Sequence, residues 1–280
     1  MAKESVEERE ERALNATTLE ELEILVKDDE SSVRSYVAAN ENTPKSLLDK
    51  LVDDEDVDVR MAVAENKNIP VSVMEKLAED EDYNVRENLA RNENTTVSLL
   101  EKLGSDTEYV NYPVRQALIS NNNSPLSLLE KLSKDVDSGV RSALSRHSET
   151  PLSLLEKLAE DEDDSVRVGV VDNKNIPVSL LEKLAKDVYE DVRARVAEND
   201  RTPVSLLEKL VDDENSFVRY EVASNLNSPV SLLEKLAGDD DEFVRNGVAQ
   251  NKSTPSSQLK KLATDEDDDV RTAAKENLAG

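Results

Sequence analysis

A period of 26 residues governs almost the whole chain. The hexapeptide Ser-Leu-Leu-Glu-Lys-Leu recurs from Ser98, Ser127, Ser153, Ser179, Ser205 and Ser231. Aligning on it divides residues 17–280 into ten repeats that begin at Thr17, Thr43, Ile69, Thr95, Ser124, Thr150, Ile176, Thr202, Ser228 and Thr254. The spacing is 26 throughout, except that the repeat from Thr95 carries three extra residues, spread over Thr107 to Pro113. Segments this short cannot bury an apolar face alone, so the period restricts the fold to an array whose core is made by stacking neighbours.

Each repeat reads as two short helices. In the repeat Thr202–Asn227, the Thr-Pro pair marks a helix start: the hydroxyl is expected to cap free N–H groups, and Pro sits where no N–H is needed. Eight of the nine prolines take this position. Leu206, Leu207 and Leu210 then form one apolar stripe, with Glu208 and Lys209 towards water. The acidic stretch Asp212–Asn215 breaks the pattern and places negative charge at the next helix N-terminus, where the backbone dipole favours it. A second helix follows with Val218, Val222 and Ala223 inward. Asn225 is expected to end it in a left-handed conformation. The fold class is therefore all-α: a solenoid of ten two-helix repeats of about 26 residues over 17–280. Residues 1–16 carry a capping-box pattern from Ser5 to Glu8 and read as an N-terminal capping segment.

Three positions run through the array as ladders. One is an Asp (Asp54, Asp161 and Asp213 among ten), and one is the Arg of a Val-Arg pair (Arg60, Arg167 and Arg219 among ten). The third is an Asn that closes nine repeats, with His147 in the remaining one. Repetition in every repeat is what a stacking requirement demands. The Asp is expected to accept N–H groups at the inter-helix turn and to pair with an Arg of its own or the next repeat. His147, the only histidine, reads as a drifted cap residue with no second imidazole or thiolate to build a metal or catalytic set.

The pattern Pro-x-Ser-Leu-Leu-Glu-Lys-Leu-Ala-x-Asp-x-Asp-x-x-Val-Arg-x-x-Val-Ala-x-Asn resembles the leucine-rich repeat variant family, which is close in character to HEAT-like repeats. The resemblance covers all ten repeats. It implies a right-handed superhelix of alternating helices that binds other macromolecules. One branch of that family carries a cysteine-ligated iron–sulfur module, and this chain has no cysteine to hold one.

Composition narrows function. The absence of cysteine excludes disulfides and thiolate metal sites. With 62 Asp and Glu against 35 Lys and Arg, the net charge is −27, which speaks against nucleic-acid or anionic-membrane binding. No apolar run reaches the ~18–20 residues needed to span a bilayer, and no leader is apparent, so a cytoplasmic monomer is expected. Six glycines are too few for a nucleotide cradle, and no nucleophile motif is present. Asp54, Asp56 and Asp58 match the first ligands of a calcium loop, but Val59 stands where that loop needs glycine. No catalytic residue, cofactor or metal is expected.

Binding is read from the variable positions. All eight aromatics lie between five residues before and three after the ladder Val. Excluding Tyr36, they fall into two groups: Tyr83, Tyr109 and Tyr112, and Tyr189, Phe217, Tyr220 and Phe243. They suggest an edge of exposed rings among carboxylates, suited to a protein or peptide with apolar and basic groups. Arg91, Arg146, Arg195 and Arg201 stand outside the ladder and are assigned no site. The expected function is a non-catalytic protein-interaction scaffold. The alternatives are a HEAT-like nucleic-acid-associated protein, or an engineered or stability-selected array with no partner.

Overall fold

The computed structural model describes residues 4–105 and 112–280. Tyr109, Asp106 and Thr107–Asn111 of the insertion lie outside the described residues; Tyr112 and Pro113 open the helix Tyr112–Ser120. Among the described residues there are 21 α-helices and no strand. First helices are short, such as Val204–Leu210, and second helices such as Ser216–Ser224 run to nine residues. Helices this short are unstable alone in water, so their stability comes from the faces they bury.

Those faces are the ones the periodicity marks. Leu206, Leu207 and Leu210 are buried, as are Val218, Val222 and Ala223. The chain forms two compact units, residues 1–140 and 141–280. In the first, the second helix Ser31–Ala39 packs on Val57–Glu65, which packs on Tyr83–Arg91. In the other, Glu190–Glu198, Ser216–Ser224, Glu242–Gln250 and Asp268–Ala279 follow one another in the same way. Their buried faces are mostly Val and Ala, small enough to let neighbouring backbones approach closely.

Two local expectations are corrected. Proline is itself the N-cap of the first helix: Pro203 is extended (φ −70°, ψ 152°), and its carbonyl accepts from the Leu206 N–H at 2.8 Å. The preceding Thr202 does not cap; its hydroxyl donates backwards to the Val196 carbonyl at 2.5 Å, tying the first helix to the second helix before it. Asn225 is likewise not left-handed (φ −65°, ψ 126°), and no described non-glycine residue has positive φ. The turn is closed by its side chain instead: Oδ1 accepts from the Asn227 N–H at 2.8 Å, while Nδ2 donates to the carbonyl of Ala197 in the preceding repeat at 2.6 Å. The ladder asparagines are therefore inter-repeat staples. They are buried because the carbonyls they satisfy are buried.

The N-terminal segment forms the helix Val6–Asn15, opened by a complete capping box at Ser5 and Glu8. It packs on Ser31–Ala39 as a second helix would.

Candidate functional site

The Arg ladder uses side chains to join repeats. The Arg167 guanidinium donates from Nε and Nη2 to the two oxygens of Asp187, 20 residues ahead, at 2.6 and 2.9 Å. Its Nη1 turns back to the Asp161 carbonyl at 2.7 Å. Arg60 and Arg219 repeat this arrangement, with the carboxylates of Asp80 and Asp239 ahead and the carbonyls of Asp54 and Asp213 behind. Asp54, Asp161 and Asp213 in turn receive Arg34, Arg141 and Arg193. In these rungs the carboxylate meets the Arg of the preceding repeat, not that of its own or the next as the spacing suggests, because the Arg of its own repeat reaches only its backbone carbonyl. An oxygen also accepts the N–H two residues on, as Asp54 Oδ1 does from Asp56 at 3.0 Å. Burial pushes the Asp187 carboxyl up. The hydrogen bonds from Arg167 and the Tyr189 N–H, with the charges of Arg167 and Arg193, more than offset it and hold it below the ordinary range. Asp54, Asp213, Asp239 and Asp265 are lowered by the same balance.

Arg9 is the member that sequence reading missed. It pairs with Asp28 through Nε at 2.7 Å and Nη2 at 3.1 Å, extending the ladder into the helix Val6–Asn15. Its spacing of 19 residues, where other members have 20, and the Glu8 before it where the others carry Val, hid it from the alignment.

With these groups engaged in stacking, the side chains that vary between repeats lie on one face of the second helices. Phe217, Tyr220, Glu221 and Ser224 fall at i, i+3, i+4 and i+7, so they share one face. The equivalent four are Asp191, Ala194, Arg195 and Glu198 in the repeat before, and Phe243, Asn246, Gly247 and Gln250 in the repeat after. Beside a broader hollow of about 640 Å³, whose lining includes Asp172, Lys174, Arg195, Glu198, Arg201 and Glu221, two smaller ones open on this face. One, of about 200 Å³, is lined by Ser216, Phe217, Tyr220 and Phe243. The other, of about 240 Å³, is lined by Val168, Asp191, Ala194, Arg195, Glu198, Phe217 and Glu221. Phe217 belongs to both.

The structure brings together some of the aromatics and not others. Phe217 and Tyr220 lie nearly parallel, with centroids 6.3 Å apart, and Phe243 completes their hollow. Phe243 is 69 % exposed and Phe217 49 %. Tyr220 lies against the next helix because Gly247 leaves room; a Cβ there would stand 3.1 Å from the Tyr220 ring. Tyr189 stays apart, its ring beneath the Arg167 guanidinium at 5.3 Å. Tyr112 folds over Gly139, and its hydroxyl accepts from Gln116 at 2.8 Å. Tyr83 is exposed and makes no ring contact with Tyr112.

Charge on the face is uneven. Arg195 is held by Asp172 at 3.0 Å and Glu198 at 2.7 Å, and Asp172 also takes Arg146 at 3.3 Å. Among the described residues, no hydrogen bond or ion pair reaches the Glu221 carboxyl. Burial, reinforced by Glu198 and only partly countered by Arg195, pushes it up to about 7. Arg195, Glu198 and Glu221 were not singled out as site residues from the sequence. The i, i+3, i+4, i+7 rows measured from each ladder Arg are the signal that finds them.

This ladder-stapled stack of paired helices is a helical-repeat solenoid. Among solved structures, a leucine-rich repeat variant with a novel repetitive structural motif matches at 24 % identity over 90 % of this chain and 88 % of that one, with a TM-score of 0.53, and the two share a fold. Importin beta matches at 14 % identity over 99 % of this chain and 42 % of that one (TM-score 0.36). A designed armadillo repeat protein matches at 16 % over 97 % and 98 % (TM-score 0.14). Neither of these two superposes well enough to carry an argument. No family model and no curated protein matches the chain. No described helix is long and apolar enough to cross a membrane.

Proposed function

We propose that this chain is a non-catalytic protein-interaction scaffold that holds its partner on the outer face of the second helices, centred on Phe217, Tyr220 and Phe243. The hollow those three rings line carries the reading. Phe217 and Phe243 are exposed and gather with the partly buried Tyr220 around one concavity, and large rings so placed are the usual anchors of a protein interface. The array supports it from beneath, since each ring stands on a helix stapled to its neighbours by the Arg and Asn ladders. A non-catalytic role is supported by the use of the ladder Asp and Arg side chains in stacking, and by a sequence without cysteine.

The test is affinity capture from the source cell. The wild type is compared with a Phe217→Ser/Phe243→Ser double variant that melts at the same temperature. A protein retained by the wild type and lost from the variant supports the site. Equal recovery by both places binding elsewhere and overturns it.

A further inference from the structure

The two hollows differ in chemistry and share a wall. On one side of Phe217 the lining is aromatic; on the other it holds three carboxyls, Asp191, Glu198 and Glu221, and one cation, Arg195. That cation is already shared between Asp172 and Glu198. Glu221 is left half-buried, with no protein donor among the described residues, an acceptor pair that a donor from outside can engage. A side chain satisfying it must carry N–H groups and positive charge on an apolar stem, because the approach runs past the Phe217 ring. Lys and Arg meet those requirements, and the face of an aromatic ring attracts a cation in addition. A neighbouring apolar side chain of the same segment then has the Phe217, Tyr220 and Phe243 hollow beside it.

Resting on the scaffold reading above, we infer that the occupant of this face is a basic peptide segment, which places a Lys or Arg side chain against Glu221 and Glu198 and an adjacent apolar side chain among Phe217, Tyr220 and Phe243. Charge complementarity selects this partner. The chain carries −27 overall, and the hollow itself sets three carboxyls against one cation. An acidic segment meets repulsion here, and a purely apolar one leaves Glu221 without a donor.

The probe is a fluorescein-labelled octapeptide of alternating Arg and Leu, titrated with the full chain at physiological salt and followed by fluorescence polarisation. Glu–Leu and Arg–Ser octapeptides serve as comparisons. Because an acidic protein attracts any cationic peptide, Glu221→Gln is set against Glu162→Gln, which removes a carboxylate from an almost fully solvated turn residue and so at least as much charge. The expected result is at least ten-fold weaker binding of the Arg–Leu peptide by Glu221→Gln and by Phe217→Ser, with less than two-fold change for Glu162→Gln. Binding of Arg–Ser should be weaker than that of Arg–Leu, and Glu–Leu should not bind. Equal losses for Glu221→Gln and Glu162→Gln, or tighter binding of Glu–Leu, overturn the inference. So does a concentration-dependent dimer that Phe217→Ser dissolves, since the occupant is then a second copy of the chain. If the peptide fails while the Phe217→Ser/Phe243→Ser pair still loses its captured protein, the basic-segment inference falls and the scaffold reading stands. If that pair loses nothing, both fall.

Discussion

Replacing Arg167 with Ala isolates what one rung of the ladder contributes. The guanidinium is 8 % exposed and the Asp187 carboxylate 9 %, so both charges lie out of water. Four groups lose a donor at once: both Asp187 oxygens, held at 2.6 and 2.9 Å, and the carbonyls of Asp161 at 2.7 Å and Glu162 at 3.3 Å, with Oδ1 keeping the Tyr189 N–H. The Tyr189 ring also loses its cation. Deleting one member of a buried pair costs about 3–5 kcal/mol, mainly because the remaining charge is stranded. The internal control is Arg271, at the same position of the last repeat. Its carboxylate partner is Asp268, one helical turn away and almost fully solvated. A solvated pair of that kind contributes about 0–1 kcal/mol, so Arg271→Ala is expected to cost less than half as much. Urea unfolding at pH 7 followed by circular dichroism gives the two losses. Hydrogen exchange in the helices Asp164–Val171 and Glu190–Glu198 shows whether the damage is local to the rung, since arrays need not unfold in one step. A double-mutant cycle with Asp187→Asn should then recover most of the Arg167→Ala loss as coupling between the two residues. A loss below about 1 kcal/mol, or one no larger than that of Arg271→Ala, would refute the view that buried inter-repeat pairs hold the stack.

Acid should act in two opposing stages. The Asp187, Asp213 and Asp239 carboxyls lie below their unfolded value of about 3.9, so their stabilisation is present above that pH and is lost as pH falls through the folded values. Glu221 runs the other way: raised to about 7, it favours the folded state below its unfolded value of about 4.3, and that contribution disappears as pH rises towards 7. The melting temperature should therefore peak near pH 5 and fall steeply below about pH 3.5; in Glu221→Gln the decline between pH 5 and 7 should flatten, and an unchanged wild-type slope would contradict the assignment. Asn225→Asp sets a carboxyl 2.6 Å from the Ala197 carbonyl in a buried site, and should cost about 2–4 kcal/mol at pH 7 and less at pH 4, read from urea midpoints at both. His147 leaves a buried Nδ1 without a hydrogen-bond partner, so His147→Asn, which restores the residue of the other nine repeats, should raise stability by about 1–2 kcal/mol by the same assay.

Much of the architecture is written locally. The 26-residue period, the two helices per repeat and the inward Leu, Val and Ala positions follow from spacing along the chain, because a helix carries residues three and four apart to one side whatever surrounds it. The wrong local readings share one cause. Thr202 and Asn225 were assigned caps within their own turns, whereas both satisfy carbonyls of the helix before them, and a within-repeat pattern holds no information about which carbonyls a neighbour presents. The Arg ladder shows the same division. Its existence is plain in ten Val-Arg pairs, but the spacing suggests the Arg of an Asp's own repeat or the next as its partner, and not the one before it. Stacking settles the matter by putting the carboxylate 20 residues ahead within reach of the fork, while the one six residues behind offers only its backbone oxygen. The candidate site divides likewise. Sequence marks a window of aromatic residues; only the packed second helices decide that Phe217, Tyr220 and Phe243 share a hollow, that Tyr189 is drawn beneath Arg167, and that Glu221 is left without a donor. Helical spacing belongs to the chain, whereas burial and partnership belong to pairs of repeats, and those pairs exist only in the folded stack.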